Sequence, residues 1–156
     1  MRLSDSHALP VPLDLAWAAL NDLDVLRHAL PGCESLLEIA TDEFVAEMAI
    51  PLGLATPRCT VYVHRRDIQA PRACTLHFET RTPGAGAGGT GSAALRLAPT
   101  GADATTLQVD LGVAVNGLVA QLSAPLIDIA AHQRAALFFE RFRAAAVARH
   151  AGAPMP

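Results

Sequence analysis

The sequence predicts an α+β fold in which a curved antiparallel sheet of about seven strands, with two short helices, wraps around a long C-terminal helix. Two observations support this prediction. From residue 35 to residue 115 apolar residues alternate with period two, and the joins between these stretches are short and rich in turn residues. From residue 125 to residue 150 the apolar spacing is helical. Strands joined by short turns form antiparallel meanders, and a long amphipathic helix needs an apolar surface to cover its stripe.

The N-terminal segment predicts one strand followed by a helix. Residues 1–12 alternate loosely and end at Pro12, which suits the first turn of a helix because its missing N–H is not needed there. Asp14 then lies near the positive end of the helix dipole. Four apolar residues follow at helical spacing: Leu13, Ala16, Trp17 and Leu20. A second short helix, over residues 23–30, ends at Pro31-Gly32, a dipeptide that fits the centre of a type II turn.

The rest of the chain predicts six strands and the last helix. The strands are expected at residues 35–40, 43–51, 58–68, 74–82, 91–97 and 105–115. The helix over 125–150 carries the stripe Leu126, Ile127, Ala130, Ala131, Arg134, Leu137, Phe138 and Phe142. A chain of 156 residues is long enough for one domain with a substantial core. We therefore predict a single domain over residues 1–150 and a frayed tail over 151–156.

Composition excludes several classes of function. The formal net charge is −3, so the basic excess typical of nucleic-acid binding is missing. Three cysteines, an odd number, and the lack of a secretory signal indicate a cytoplasmic protein. No stretch approaches the roughly 18 apolar residues that a transmembrane helix needs. Membrane contact is therefore expected to be peripheral at most.

The alternation also predicts a ligand cavity between the sheet and the last helix. Its inward-facing residues are mostly aliphatic and of modest size, and a core of small groups either closes tightly or leaves a pocket for an apolar ligand. The expected lining residues are Met48, Ile50, Val61, Val63, Leu76, Phe78, Leu95, Leu97, Val109, Leu111, Val113, Leu126, Ala130, Leu137 and Phe138.

The stretch GAGAGGTG contains a GxGxxG pattern, which is typical of dinucleotide sites. Such a site needs a helix directly after the glycines, whereas SAALRLAPTG alternates like a strand. We therefore predict no nucleotide cofactor and interpret the stretch as a flexible loop that gates the cavity. The gate loop comprises Gly84, Gly86, Gly88, Gly89 and Gly91.

The chemically reactive residues favour a binding protein over an enzyme. His64 and His77 lie on neighbouring predicted strands with Cys59 and Cys74, but alternation puts Cys74 on the face opposite His77, so no metal site is predicted. Cys33 has His28 as its nearest possible base, with Glu34 adjacent, yet a free cysteine more often packs as a small hydrophobe. Asp22 and Asp24 flank a helix break, where carboxylates commonly cap. No catalytic residues are predicted.

Taken together, several blocks resemble the G-subunit family of carbon monoxide dehydrogenase. They are AWAALNDLDVLRHALPGCESL, the glycine-rich segment with GSAALRL, TTLQVDLGVAVNGLVAQL and LIDIAAHQRAALFFERF, in the family's order. Pro-Gly-Cys-Glu in this context is the most specific of them. The resemblance implies the helix-grip fold of the START-like or SRPBCC superfamily, whose members bind hydrophobic molecules between sheet and helix.

The same resemblance implies a function. The chain would be a non-enzymatic accessory protein of a molybdenum hydroxylase of the carbon monoxide dehydrogenase type, binding a lipid or quinone, and peripheral to the inner face of the membrane. It implies no cofactor and no catalytic residues. Two alternatives stay open: a docking module without ligand, and a small-molecule cyclase or hydrolase. The last would need titratable groups inside the cavity, for example His77 or Asp110 turned inward against the alternation.

Overall fold

A computed structural model describes residues 1–51, 54, 56–82, 86–115 and 124–156. The elements in chain order are β1 (Arg2–Leu9), α1 (Leu13–Leu20), α2 (Leu23–Ala29), β2 (Cys33–Ala40), β3 (Glu43–Ala49), β4 (Arg58–Gln69), β5 (Ala73–Thr82), β6 (Gly86–Gly101), β7 (Ala104–Val115) and α3 (Ala124–His150).

The seven strands of the described chain form one antiparallel sheet in the order β1-β7-β6-β5-β4-β3-β2. Strands β2 to β7 make a meander, and β1 joins it beside β7. Leu3 of β1 pairs with Leu111 of β7, so the first strand of the chain is the edge strand next to the last strand of the meander. The predicted α+β fold, with a curved sheet around a long C-terminal helix, is confirmed.

The clearest difference from the predicted elements is the length of β6. We expected this strand at residues 91–97, but it begins at Gly86 and runs to Gly101. Gly89 pairs with Thr80 of β5 and with Val115 of β7, so it belongs to two ladders. Glycine disfavours strands by propensity, and here the pairing on both sides overrides that preference.

Short-range chemistry explains the start of α2 and the turn after it. The side chain of Asp22 caps α2, accepting hydrogen bonds from the amides of Asp24 at 2.9 Å and Val25 at 3.3 Å. The predicted turn at Pro31-Gly32 is present, with Gly32 at a φ of +79° and the amide of Cys33 bonded to the carbonyl of Leu30 at 3.2 Å. Only a residue that tolerates positive φ fits this turn.

The main core fills one end of the fold. It is built from α1, α2, the C-terminal half of α3 and the adjoining ends of β1, β6 and β7, and its most deeply buried side chains are Leu9, Val11, Val25, Leu107 and Phe142. Thr105 is buried among them, and its hydroxyl donates to the carbonyl of Val11 at 2.9 Å. A polar group buried here needs such a partner. The core therefore holds the C-terminal half of α3 firmly against the sheet.

The C-terminal residues follow α3 through a glycine cap. Gly152 has a φ of +68°, and the amide of Ala153 donates to the carbonyl of Ala148 at 2.8 Å. Met155 packs against the main core. The predicted boundary between a domain over 1–150 and a frayed tail over 151–156 stays a prediction.

Candidate functional site

A cavity of about 470 Å³ lies between the inner face of the sheet, the pair α1–α2 and the N-terminal half of α3. This volume falls within the range of about 300–1,000 Å³ that small-molecule sites occupy. Most of its wall is aliphatic, with two aromatic rings from α3, Phe138 and Phe139. An apolar cavity of this size suits an apolar molecule.

The structure brings nine of the predicted lining residues to the wall of this cavity. Strand residues alternate between the two faces of the sheet, so choosing the inward face once for each strand places eight of them, and the helical spacing of α3 places Phe138. They are Met48, Val63, Leu76, Phe78, Leu95, Val109, Leu111, Val113 and Phe138. That these residues contact a ligand stays a prediction.

Five other predicted residues lie elsewhere in the interior or beside it. Leu97 is buried in the main core, only 3% exposed. Ile50 and Val61 pack against a smaller cluster of Ala46, Met48 and Cys59. Ala130 and Leu137 are half-buried on α3 but do not line the cavity. The side chain of Leu126 lies outside the described part of the chain. Face parity is thus necessary for lining the cavity but not sufficient.

The glycines that we expected in a gate loop lie mostly in a strand. Gly86, Gly88, Gly89 and Gly91 belong to β6, whereas Gly84 falls outside the described residues. Gly91 pairs with Phe78, and a Cβ at position 91 would come within 2.7 Å of the Phe78 Cζ atom. The missing side chain therefore makes room for an aromatic ring that lines the cavity.

Four polar residues of the wall were missed by sequence reasoning: Asp5, Asn21, Arg65 and Arg134. Their signals were present in the sequence. Asp5 shares the parity of Leu3, Arg65 shares that of Val61 and Val63, and Arg134 stands within the apolar stripe of α3. None of the four was predicted to line the cavity, because only apolar residues were chosen for its wall, although Arg134 was already counted in the stripe of the last helix.

The positive charge of Arg65 is neutralised by a carboxylate of the protein, that of Asp42. Its Nε and Nη2 atoms donate to the same oxygen of Asp42, at 3.0 and 2.7 Å, and Nη1 donates to the side-chain oxygen of Asn21. The guanidinium also lies over the ring of Phe44, 5.4 Å from its centroid. Arg65 thus joins β4 to the β2–β3 turn and to the α1–α2 junction.

Arg134 is held differently. It extends from α3 to the Pro31-Gly32 turn, where Nη2 donates to the carbonyl oxygen of Pro31. Burial lowers the pKa of its guanidinium, although an arginine remains protonated at neutral pH. This contact joins the long helix to the turn that carries the most specific sequence motif.

Asp5 and His7 form a polar pair on β1 near α3. The two side chains approach to 2.9 Å, between Asp5 Oδ2 and His7 Nε2, and this contact with His7 lowers the pKa of Asp5. The His7 ring stacks on Phe139 with centroids 3.7 Å apart. The pair therefore lies where the edge strand meets the helix.

The cysteines are arranged for packing. Burial raises the pKa of Cys33, Cys59 and Cys74, which keeps the thiols protonated at neutral pH. The Cys33 thiol contacts the carbonyl of Ser35 at 3.4 Å, while Nδ1 of His28 contacts the carbonyl of Asp24 at 2.7 Å. The structure therefore favours packing over catalysis for Cys33.

His64, His77 and the remaining acidic candidate, Asp110, face outward. His64 and His77 pair across β4 and β5 on the outer face, while Cys59 and Cys74 are buried on the inner face, as the alternation predicts. Asp110 accepts a hydrogen bond from the Ser4 hydroxyl at 2.7 Å, also on the outer face. Within the described ranges, no group of three or more His, Cys, Asp or Glu side chains could hold a metal ion.

A larger depression, of about 940 Å³, opens beside the outer face of the sheet. Its wall includes charged or titratable side chains such as Glu43, His64, His77 and Glu79. Because it is open to solvent, it excludes water less well than the inner cavity does. The inner cavity is therefore the better candidate site.

In the part of the chain that the structure describes, no helix is both long enough and apolar enough to cross a membrane. No curated protein matches the chain.

Solved structures share its fold. A conserved protein from Geobacillus kaustophilus superposes with a TM-score of 0.84 at 20% identity, covering 92% of this chain and 93% of that one. The Zhui aromatase/cyclase from a Streptomyces species gives 0.69 at 16% identity, covering 99% of both chains. A START superfamily protein from Mycobacterium smegmatis gives 0.69 at 14% identity, covering 89% and 92%. The fold is therefore the START-like helix-grip fold.

The family is shown by a match over most of the chain. The family model for the G subunit of carbon monoxide dehydrogenase (CoxG) covers residues 8–147, from the end of β1 almost to the end of α3. The matched range includes both short helices, the Pro-Gly turn and most of the residues that line the cavity. The chain belongs to the CoxG family, the G-subunit family of carbon monoxide dehydrogenase.

Proposed function

We propose that this protein binds an apolar small molecule, a lipid or a quinone, in the cavity between the sheet and α3, and that it does so without catalysing a reaction. The observation that carries this proposal is the cavity of about 470 Å³ with its aliphatic wall. An empty apolar space forfeits the dispersion contacts that its lining would otherwise make. A ligand of matching shape restores those contacts and stabilises the folded state.

Family membership supports a setting for this binding. We propose that the protein serves a molybdenum hydroxylase of the carbon monoxide dehydrogenase type, holding a lipid-like molecule such as a quinone that accepts electrons. Such ligands reside in membranes, so the protein would visit the inner face of the membrane as a peripheral protein. The surface of α3 near its end carries Arg141 and Arg143, both exposed, which suits contact with anionic lipids, whereas Arg149 is already paired with Asp22 at 3.3 Å.

The direct test is to identify what the protein carries. Freshly purified protein is examined by native mass spectrometry and by solvent extraction, and its melting temperature is measured with added phospholipid, fatty acid and menaquinone. We expect a bound apolar molecule, or a rise in melting temperature with at least one of the three. If nothing copurifies and no addition raises the melting temperature, the proposal is wrong.

A docking role without ligand predicts a different outcome. In that case a large side chain that fills the cavity would leave binding to the partner enzyme unchanged, and no ligand would affect melting. The apolar cavity favours the ligand-binding proposal, since a protein used only as a docking module needs no space inside.

The enzymatic alternative has one observation in its favour, the contact between Asp5 and His7 beside the cavity. A carboxylate next to an imidazole can transfer protons to or from a bound molecule. The distinguishing variant is Asp5→Asn, which keeps the size of the side chain. Conversion of a bound ligand by the wild type, lost in this variant while ligand binding persists, would favour an enzyme.

A further inference from the structure

Among the described residues, two arginines line the cavity, and they differ in whether a carboxylate of the protein neutralises them. Arg65 is bonded twice to Asp42, and its third contact is to Asn21. For Arg134 the hydrogen bond found is to a backbone carbonyl, that of Pro31. Among the described residues, no carboxylate lies within 4.0 Å of Arg134. The described wall of the cavity therefore contains one paired cation and one cation without a protein counter-charge.

A half-buried cation without a counter-charge is unfavourable, because it has lost part of its hydration and keeps unused hydrogen-bond donors. A guanidinium has five N–H donors, and a single carbonyl oxygen accepts from only part of them. Burial also lowers the pKa of Arg134, as desolvation of a cation does. Cys59 lies near Arg134, but burial keeps its thiol protonated, so it supplies no negative charge. An oxygen-rich anion entering the cavity would supply what the protein does not.

We propose that Arg134 binds the acidic head group of the cavity's ligand, and that this ligand is a single-chain amphiphile ending in a carboxylate. The inference rests on the proposed function, because it names the class of molecule that occupies the same cavity. Arg134 provides two parallel N–H donors for a carboxylate, a geometry that arginine offers and lysine does not. The hydrocarbon chain lies along the aliphatic wall, which includes Leu36, Met48 and Leu76.

The other charged groups of the wall fix the direction of the ligand. Asp5 lies on β1, which is one edge of the sheet, whereas Arg134 reaches the turn that begins β2, the opposite edge. A carboxylate is repelled by Asp5 and gains little from Arg65, whose charge Asp42 already neutralises. The head group therefore binds at the Pro31 side of the cavity.

The test compares two ligands that differ only in the head group, palmitate and hexadecanol, each measured by displacement of a fluorescent probe. We expect the wild type to bind palmitate about tenfold or more tightly than hexadecanol. Arg134→Gln should lose this preference while keeping its affinity for hexadecanol. Arg134→Lys should restore part of it, because the charge returns without the fork. Arg65→Gln, which removes the paired cation from the same wall, should keep the preference.

The possible results separate the two proposals. One result is that hexadecanol or menaquinone binds the wild type and Arg134→Gln equally well, and that the wild type binds palmitate no more tightly than hexadecanol. In that case the head-group inference is wrong and the ligand-binding function stands. If Arg134→Gln weakens palmitate and hexadecanol alike, Arg134 supports the fold and the inference is wrong. If none of the three ligands binds the wild type, the head-group inference is wrong; if, in addition, nothing copurifies and phospholipid does not raise the melting temperature, the ligand-binding function is wrong as well. Circular dichroism spectra of every variant establish that each is folded before binding is compared.

Discussion

The carbonyl oxygen of Gly32 accepts a hydrogen bond of 2.9 Å from the amide of Ala49, which ties the turn before β2 to the end of β3. The two backbones approach so closely that a Cβ on residue 32 would overlap the carbonyl oxygen of Ala49. Residue 32 also has a φ of +79°. The Pro-Gly-Cys-Glu motif thus needs glycine at position 32 for two independent physical reasons, the close approach of Ala49 and the positive φ.

We therefore expect Gly32→Ala to lower the free energy of unfolding by more than the roughly 1–2 kcal/mol that a left-handed backbone alone costs. Urea unfolding followed by circular dichroism measures the loss. The matched control is Gly152→Ala, since Gly152 has a φ of +68° but a methyl group there would meet no other described residue within 4 Å beyond its chain neighbours. Equal losses in the two variants would contradict the close-approach argument.

The bond between Arg65 and Asp42 is expected to stabilise the fold measurably. These side chains are only 19% and 28% exposed, so solvent screens their attraction weakly. Asp42→Asn keeps the shape and suits the φ of 58° at this position, yet removes the charge. We expect a loss of about 1.5–3 kcal/mol in the free energy of unfolding, measured by urea denaturation.

The control for that variant is the exposed pair of Arg58 and Glu34, where Arg58 is 74% exposed. Glu34→Gln should change the free energy of unfolding by about 0–1 kcal/mol, as is usual for surface ion pairs. If the two variants lose the same amount, burial of the Arg65 pair contributes nothing.

A large side chain inside the cavity should block ligand binding without unfolding the protein. Val109 lines the cavity, and Val109→Trp would fill part of the 470 Å³. We expect ligand binding to fall about tenfold or more, while the melting temperature without ligand changes little because the added ring enters existing space. Ala114→Trp, on the exposed outer face of the same strand, is the control and should bind ligand normally. Unchanged binding by Val109→Trp would place the ligand elsewhere.

The cysteines should react slowly and should affect stability only at high pH. Burial raises the pKa of all three thiols, so alkylation by iodoacetamide at neutral pH should be slow in folded protein and fast in urea. A thiol whose folded pKa is raised stabilises the fold fully below its unfolded pKa and loses that contribution as the pH rises through the folded value. The urea concentration at the midpoint of unfolding should therefore decrease when the pH is raised above about 9.

Cys33→Ser tests the role of the cysteine in the Pro-Gly-Cys-Glu motif. Cys33 packs beside the turn, and its thiol bonds to a backbone carbonyl rather than to a base. We therefore expect the variant to keep ligand affinity within about twofold and to lose a little stability. Complete loss of function at normal stability would show that the thiol takes part in chemistry.

The strand pattern predicted the faces of the sheet well because a strand has a period of two wherever it is. Val63, Leu76 and Val109 could be assigned to the inner face from their parity alone. Parity does not say how far the helix stands from the sheet at each point. Leu97 and Val61 have the correct parity, yet α1 and α3 or neighbouring strand side chains cover them.

The polar contacts in the cavity wall could not be predicted from the sequence, for a related reason. Arg134 was counted within the apolar stripe because its spacing fits, and nothing local shows that its guanidinium reaches Pro31, 103 positions earlier. The pairing of Arg65 with Asp42 likewise depends on the β2–β3 turn coming beside β4. Glycine propensity misled the prediction of β6, where pairing on both sides extends the strand.

The two halves of α3 have different surroundings, and this has a consequence for hydrogen exchange. Phe142, Ala145 and Ala146 are embedded in the main core, whereas Ala131, Arg134 and Ala135 border an open space. Backbone amides of the second half should exchange with deuterium only when the whole domain unfolds, and those of the first half through smaller local openings. A molecule could then enter the cavity by transient fraying of the start of one helix, while its end keeps the protein folded.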